Sequence, residues 1–454
     1  MQNRIIGLII VIGTMSLFVS SGVLGISGDV SPSLVLGFML LSAYCIGFIL
    51  ARLGLPQITG YIFAGLFFGP FFINYCNSSA VNDLDFLNSL ALAFIAFCAG
   101  GELKLASIRS KLKIILCLIG GVTSVVITGV TLSVFLLSSY IPFMSNYNVS
   151  ARLAVSAIFG VIAVARSPSS AIAIISETKA KGDYTDTVLG VIVVMDVLII
   201  ILFAVIISVC QATLSISGGM DVSFVLYLLL EIVIAFIFGF LLGKIIVFLI
   251  EKVKVEFPVV IAGMGFVVIK FCHFMGESFY DIHDISVNIE PLLICMFAGF
   301  TVQNYSKYGS TFLKRMDSVS LPIYVAFFAI TGASINIEVL KSSWFLGLMI
   351  VFVRTLMIFM GSRLSGKISG DKKGICNNAW FGFITQAGVS LGLLSEVVRR
   401  FPEIGGDIQS ILIAAITANQ IVGPVAFKYA LNKVGDAGAG NRKQGIASWK
   451  QQQR

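Results

Sequence analysis

Long apolar stretches separated by short polar ones run through the whole chain. A stretch of roughly 20 apolar residues is long enough to cross the hydrocarbon core of a bilayer as an α-helix. We count about fourteen such spans, which leave no segment for a folded soluble domain. They cover residues 5–26, 31–51, 57–74, 86–101, 114–139, 151–175, 187–210, 223–250, 257–275, 289–303, 319–337, 343–362, 376–398 and 408–432. The pattern predicts an all-α polytopic membrane protein.

The composition supports this prediction. Hydrophobic residues make up 57% of the chain and charged residues 12%, and the mean hydropathy is +0.98, whereas globular domains are about 25% charged. We therefore interpret the net charge of +8 as setting the orientation of the protein in the membrane and favouring contact with anionic lipid. We expect no nucleic-acid partner. The eight cysteines are scattered without C-x-x-C spacing, so they indicate neither a disulfide framework nor a metal site.

Basic residues in the loops predict the orientation. With the N-terminus in the cytoplasm, the inner loops carry most lysines and arginines, and the outer loops hold mainly Lys341, Arg399 and Arg400. By the positive-inside rule, both ends are then cytoplasmic, in a multi-pass protein of the cell membrane. Residues 1–30 are expected to form an extra N-terminal transmembrane helix, with a cleaved signal peptide as the alternative. Residues 434–454 are polar and basic, and we expect a disordered cytoplasmic tail.

Two groups of three spans share one pattern in opposite orientations. They are spans five to seven and spans twelve to fourteen, and the middle span of each group is interrupted. Residues 166–170 interrupt the first, around Pro168, and residues 385–388 interrupt the second, around Gln386 and Gly388. Interrupted helices at corresponding positions of oppositely oriented units indicate an inverted-repeat transporter with its site at the membrane midplane.

Asp196 lies in span seven, about nine residues from its inner end. A carboxylate at that depth is costly and is a functional candidate by default. It can hold a proton near neutral pH, or its oxygens can coordinate a small cation with the hydroxyls of Ser167, Ser169 and Ser170. Competition at one site with alternating access gives exchange, so we predict that Asp196 binds both the proton and the monovalent cation. A carboxylate permanently paired with an arginine, which holds helices together, is the alternative.

Four other charged residues lie within or at the ends of the spans. Arg354, near the middle of span twelve, is expected to balance charge at a broken helix end, and a direct part in transport is the alternative. Lys270 and Glu290 are predicted to form a structural bridge toward the outer side. Glu102 ends span four at the inner face, where it serves either a structural role or a cytoplasmic funnel.

Several sequence motifs carry a resemblance to a known family. They are Arg52-Leu-Gly-Leu-Pro-Gln-Ile-Thr-Gly-Tyr-Ile-Phe-Ala-Gly-Leu-Phe-Phe-Gly-Pro70, Phe97-Cys-Ala-Gly-Gly-Glu-Leu103, Ser169-Ser-Ala-Ile-Ala173, Pro322 with Phe327, Phe328 and Gly332, and Gln386-Ala-Gly388. Over residues 31–432 the chain resembles the monovalent cation:proton antiporter superfamily, nearest the bacterial branch of sodium/proton and potassium-efflux exchangers.

The resemblance implies a thirteen-helix antiporter of the bilayer that forms a homodimer and serves pH homeostasis. Such a protein is a transporter and not an enzyme. It needs no cofactor, and the ions that it transports are Na+ or K+ and H+. It implies dimerisation and scaffold helices in residues 31–110 and 223–340. It also implies a mobile core in residues 111–210 and 343–433, which carries Asp196 between the two sides of the membrane. No nucleotide-binding domain of the kind found in potassium-efflux relatives is expected in this chain.

Two departures from the family pattern bear on the function. Relatives often have Asp-Asp or Asn-Asp where this chain has Met195-Asp196, and one carboxylate predicts electroneutral exchange of one proton for one cation. Arg166 stands where many relatives have threonine, and Ser167 where aspartate often follows. Since a guanidinium competes with a cation for Asp196, Arg166 is either a tethered surrogate ligand or the sign of a substrate other than Na+. A cation channel or uniporter on the same scaffold is the alternative function.

Overall fold

The computed structural model describes residues 2–20, 31–214, 222–253, 257–283, 291–371 and 373–438. Within these ranges the regular elements are helices and there is no strand, which confirms the all-α prediction. The first part contains α1 (Gln2–Ser20), α2 (Pro32–Arg52), α3 (Gln57–Phe68), α4 (Ser78–Asp83), α5 (Asp85–Glu102), α6 (Leu105–Ser110), α7 (Leu112–Leu137), α8 (Pro142–Ser145), α9 (Val149–Val164), α10 (Pro168–Thr178) and α11 (Asp183–Thr213). The second part contains α12 (Val222–Phe248), α13 (Phe257–His283), α14 (Pro291–Tyr305), α15 (Gly309–Ala333), α16 (Ile337–Ser369), α17 (Ile375–Gly382), α18 (Gly388–Arg400) and α19 (Gly405–Val434).

Each predicted span overlaps one helix or one broken pair of helices. In the described part of the chain, eight helices are long and apolar enough to cross a membrane, with α9 and α10 counted as one. Others, such as α3, are apolar but short, so the total of fourteen crossings stays a prediction.

The chain beyond α19 is bound to the start of α11, although we expected disorder from residue 434. The carboxylate of Asp436 accepts hydrogen bonds from the backbone nitrogen of Thr185, at 2.9 Å, and from its hydroxyl, at 2.8 Å. The backbone nitrogen of Gly438 donates to the carbonyl oxygen of Thr178. Residues 439–454 lie outside the described ranges.

Local sequence explains where several helices begin and end. The Ser31 side chain accepts a hydrogen bond from the Leu34 backbone nitrogen, and Pro32 occupies the first turn of α2, where its missing N–H is not needed. The Asn148 side chain caps α9 in the same way. The last helix, α19, ends at Gly435 with φ of 80°, a left-handed conformation that glycine adopts without strain.

Helices α2, α3, α5, α12, α13, α14 and α15 pack mainly on one another, and we call them the flanking bundle. Glycines set its closest helix crossings. A Cβ atom at Gly65 would overlap the Ala329 carbonyl oxygen of α15, and one at Gly332 would overlap the Ile62 carbonyl oxygen of α3. Small residues let helix backbones approach closely where lipid offers no hydrophobic driving force, so these reciprocal contacts fix α3 against α15.

Helices α7, α9, α10, α11, α16, α17, α18 and α19 form a second group, which we call the crossing bundle. At its centre both predicted interruptions are confirmed as breaks, one between α9 and α10 and one between α17 and α18. The two breaks meet, because the Ser167 backbone nitrogen donates to the Thr385 carbonyl oxygen at 3.0 Å. We call this meeting point the crossover. Whether the crossing bundle moves and whether the flanking bundle dimerises remain predictions.

We expect Gly65→Ala to destabilise the protein by about 1–3 kcal/mol, because the added methyl group must push α3 away from α15. The apparent melting temperature in detergent measures this loss. Gly37→Ala in α2 is the control, since nothing lies within 4 Å of its Cβ position. Equal melting temperatures for the two variants would contradict the close crossing.

Candidate functional site

Three serines form a hydrogen-bonded group at the start of α10. Pro168 is the first residue of this helix, and Ser167 precedes it as the capping residue, with its hydroxyl accepting from the Ser170 backbone nitrogen at 3.2 Å. The Ser167 hydroxyl also lies 3.0 Å from the hydroxyl oxygens of Ser169 and of Ser170. All three serines are buried, so the break places three hydroxyl groups together inside the bundle.

The second break is fixed by side-chain amides. The Gln386 amide nitrogen donates to the Ile162 carbonyl oxygen of α9 at 3.0 Å, and its amide oxygen accepts from the Asn419 amide of α19 at 2.8 Å. Gly388 begins α18 directly after this segment. The amides therefore tie the second break to α9 and to α19.

Arg354 connects the ends of both broken helices. Its guanidinium donates to four backbone carbonyl oxygens, which are those of Ala163 at 2.7 Å, Ile384 at 2.6 Å, Ala165 at 3.1 Å and Phe383 at 3.1 Å. The first and third lie at the end of α9, and the others follow α17. The last carbonyls of a helix lack intrahelical partners and carry partial negative charge. One fully buried guanidinium thus bonds to the ends of two broken helices. The charge-balancing role of Arg354 stays a prediction.

Asp196 is buried within α11, with 6% of its surface exposed. This helix packs on α7, α9 and α10. The preceding Met195 points its sulfur toward α7, where the Thr123 hydroxyl lies 3.4 Å away. Arg166 lies in the break between α9 and α10, and both of these helices pack on α11. The structure therefore brings the predicted carboxylate and the predicted arginine into one buried site.

Arg166 differs from Arg354 in how it is held. It is 1% exposed, and its guanidinium carbon lies 4.3 Å from the centre of the Phe383 ring. None of its three side-chain nitrogens has a hydrogen-bond partner among the residues that the structure describes. A cation–π contact holds a charge near a ring face without fixing its direction, so the guanidinium of Arg166 is the less constrained of the two.

Two of the remaining candidates, Glu102 and Lys270, lie on helices of the flanking bundle. Glu102 is the last residue of α5 and is exposed. Lys270 is exposed on α13, with its ammonium 5.8 Å from the centre of the Phe266 ring. Glu290 lies outside the described residues, so its bridge to Lys270 stays a prediction. Within the described residues no cluster of His, Cys, Asp and Glu suited to a metal ion occurs.

Sequence reasoning missed Phe383 and the ion pair between Glu177 and Lys428. Phe383 gave no signal because phenylalanine occurs 37 times in the chain. Glu177 and Lys428 stand near predicted span ends, where charged residues are ordinary. Their separation of 251 residues hides their proximity.

We expect Arg354→Lys to lower the stability of the folded protein by about 3–5 kcal/mol, although it keeps the positive charge. A lysine is a compact point charge that cannot reach four carbonyl oxygens on two helices, so buried acceptors lose their partners. Thermal unfolding in detergent measures the effect. Arg363→Lys is the control, because Arg363 is exposed on the same helix and lies over the Phe359 ring. A melting temperature unchanged by Arg354→Lys would contradict the role of these bonds.

Comparisons with known proteins agree with this architecture. The family model described as "Sodium/hydrogen exchanger, transmembrane" matches residues 37–433. The probable Na(+)/H(+) antiporter GerT of Bacillus cereus is 24% identical over an alignment of 343 residues, and the match covers 72% of this chain and 81% of that protein.

Two structures of the sodium proton antiporter MjNhaP1 from Methanocaldococcus jannaschii share the fold. The structure at pH 8 has a TM-score of 0.58 at 18% identity and covers 89% of this chain and 95% of its own. An electron-microscopy structure has a TM-score of 0.69 at 17% identity, with coverage of 88% and 95%. The chain belongs to the sodium/hydrogen exchanger family of integral membrane transporters.

Proposed function

We propose that this protein exchanges one monovalent cation, Na+ or K+, for one H+ across the cell membrane, and that both ions occupy Asp196 in turn. The observation that carries the proposal is the buried carboxylate of Asp196, in a helix that packs on both broken pairs of helices, in a chain of the sodium/hydrogen exchanger family. We further propose cytoplasmic termini and a homodimer formed through the flanking bundle.

The chemistry of exchange at Asp196 follows from its burial. A desolvated carboxylate is stabilised either by a proton or by a bound cation. The hydroxyl groups of Ser167, Ser169 and Ser170 supply further oxygen ligands for a cation at the neighbouring break. Because one carboxylate accepts one ion of either kind, each loaded form has the same charge. Alternating access to the two sides then gives electroneutral exchange.

Arg166 has a distinct part in this proposal. Its guanidinium is buried, and none of its nitrogens donates a hydrogen bond to a described residue, so it can shift toward Asp196 when the carboxylate has lost both ions. It would then be a tethered surrogate ligand that an arriving cation displaces. Arg166 as the mark of a substrate other than Na+ remains the alternative.

The buried Arg166 guanidinium, which has no hydrogen-bond partner among the described residues, also favours a second candidate function, cation uniport. If Arg166 neutralises the empty Asp196, the carrier can reorient without a proton. Cations would then cross down their gradient without obligatory proton counterflow, and this flux would dissipate the membrane voltage.

Asp196→Asn is expected to abolish exchange, because an amide neither releases a proton nor offers two charged oxygens. A pH-sensitive dye inside proteoliposomes, followed after addition of Na+ or K+, measures the activity. Glu403→Gln removes an exposed carboxylate beyond α18 and should keep the wild-type rate. A fully active Asp196→Asn protein would rule out the assignment.

Arg166→Thr is expected to lower the KM for the cation by about tenfold, because the cation no longer displaces a guanidinium. The dye assay with Li+, Na+, K+ and Rb+, together with a voltage-sensitive dye, measures affinity, selectivity and coupling. Under the uniport hypothesis the wild type dissipates voltage, and Arg166→Thr restores coupling to protons. Identical KM, selectivity and coupling in both proteins would exclude Arg166 from ion binding.

A further inference from the structure

The end of α10 is bonded to the turn that precedes α3. The Glu177 carboxylate accepts from the Lys428 ammonium of α19 at 3.0 Å and from the Gln57 backbone nitrogen at 2.9 Å. The Lys428 ammonium also donates to the Leu55 carbonyl oxygen at 2.9 Å. The two side chains come from the crossing bundle and the two backbone groups from the flanking bundle, so this cluster joins the bundles.

The cluster is well suited to hold the two bundles together. The side chains of Lys428 and Glu177 are 17% and 13% exposed, so water screens their attraction only partly. The capping position of α3 is Pro56, which offers no capping side chain. Glu177 supplies that acceptor from another helix, and a carboxylate is favourable at the positive end of a helix.

A second bond attaches the same turn of α10 to another flanking helix. The Ser176 hydroxyl donates to the Asp317 carboxylate of α15 at 2.6 Å. Helix α10 also packs on α5, whereas the other half-helix, α18, has its main partners in α9, α11 and α19. The polar bonds at the end of α10 therefore attach the crossing bundle to the flanking bundle, in addition to the packing of α11 on α12 and of α19 on α3.

The two half-helices start at the crossover and belong to units predicted to run in opposite directions. The attachment at the far end of α10 therefore lies on the side where α10 and α19 end, which is the predicted cytoplasmic side. We propose that Glu177 and Lys428 form a latch that holds this side closed and opens once in each transport cycle. The proposal goes beyond the proposed function in assigning positioning residues to one conformational state, and it rests on alternating access.

Lys428→Met is the variant that releases the latch. It removes two hydrogen bonds and leaves Glu177 without its ammonium partner. The conformational equilibrium should therefore shift toward the state in which the cytoplasmic side is open. The thiol of Cys98 reports this opening, because it is 6% exposed in α5, on which α10 packs. We expect a membrane-impermeant maleimide to modify Cys98 about tenfold faster in Lys428→Met than in the wild type.

Peptide mass spectrometry measures the modification of Cys98 separately from the other cysteines. Lys433→Met is the matched control, because it removes an exposed ammonium from the last turn of the same helix. Equal rates in the Lys428→Met and Lys433→Met proteins would overturn the latch. This measurement does not depend on which ion is carried, so it decides the proposal even if every cation fails in the exchange assay.

A cross-link tests the same contact with Lys428 and Glu177 intact. In Ser176→Cys/Asp317→Cys, oxidation is expected to join α10 to α15 and to stop exchange, and reduction should restore it. Each single variant should be insensitive to oxidation. A cross-linked protein that exchanges at the wild-type rate, or a pair of thiols that never joins, would overturn the proposal.

Discussion

The structure depends on how the carbonyl oxygens at two helix breaks are satisfied inside a membrane. A backbone group in that environment finds no water, and each one left without a partner costs several kcal/mol. Arg354 donates to four such oxygens, at the ends of α9 and α17. Because one side chain holds both ends, the breaks stay in contact. The placement of the serine hydroxyls at the crossover follows from that contact.

The two buried arginines, Arg354 and Arg166, differ in their electrostatic surroundings. The positive charge of Arg354 faces the partial negative charges of two helix C-termini, which balance it. Arg166 faces the ring of Phe383 and the charge of Asp196 instead. The starts of α10 and α18 add partial positive charge to the crossover. In the proposed exchange, an ion that binds Asp196 therefore meets the positive charge of Arg166.

The sequence predicted those features that interrupt the hydropathy pattern. Pro168 and the serines interrupt an apolar run, and Asp196 and Arg354 are charges inside such runs, so the breaks and both residues could be found from the pattern alone. The partners of Arg354 could not, because they are backbone carbonyls that every residue possesses. The ring of Phe383 and the pair of Glu177 with Lys428 were also beyond reach, since each depends on helices that meet only in the folded chain.

The distribution of bonds indicates which motion the fold permits most easily. Inside the crossing bundle, Arg354 and the pair of Gln386 with Asn419 fix the breaks through buried hydrogen bonds. Inside the flanking bundle, glycines such as Gly65 and Gly332 lock helices at backbone contact. Between the bundles, the polar bonds described above gather at the end of α10, where side chains are partly exposed. Groups there can bond to water once the bundles separate, whereas breaking the internal bonds would leave buried groups without partners. The bundles are therefore expected to move as rigid bodies, with Asp196 carried inside one of them.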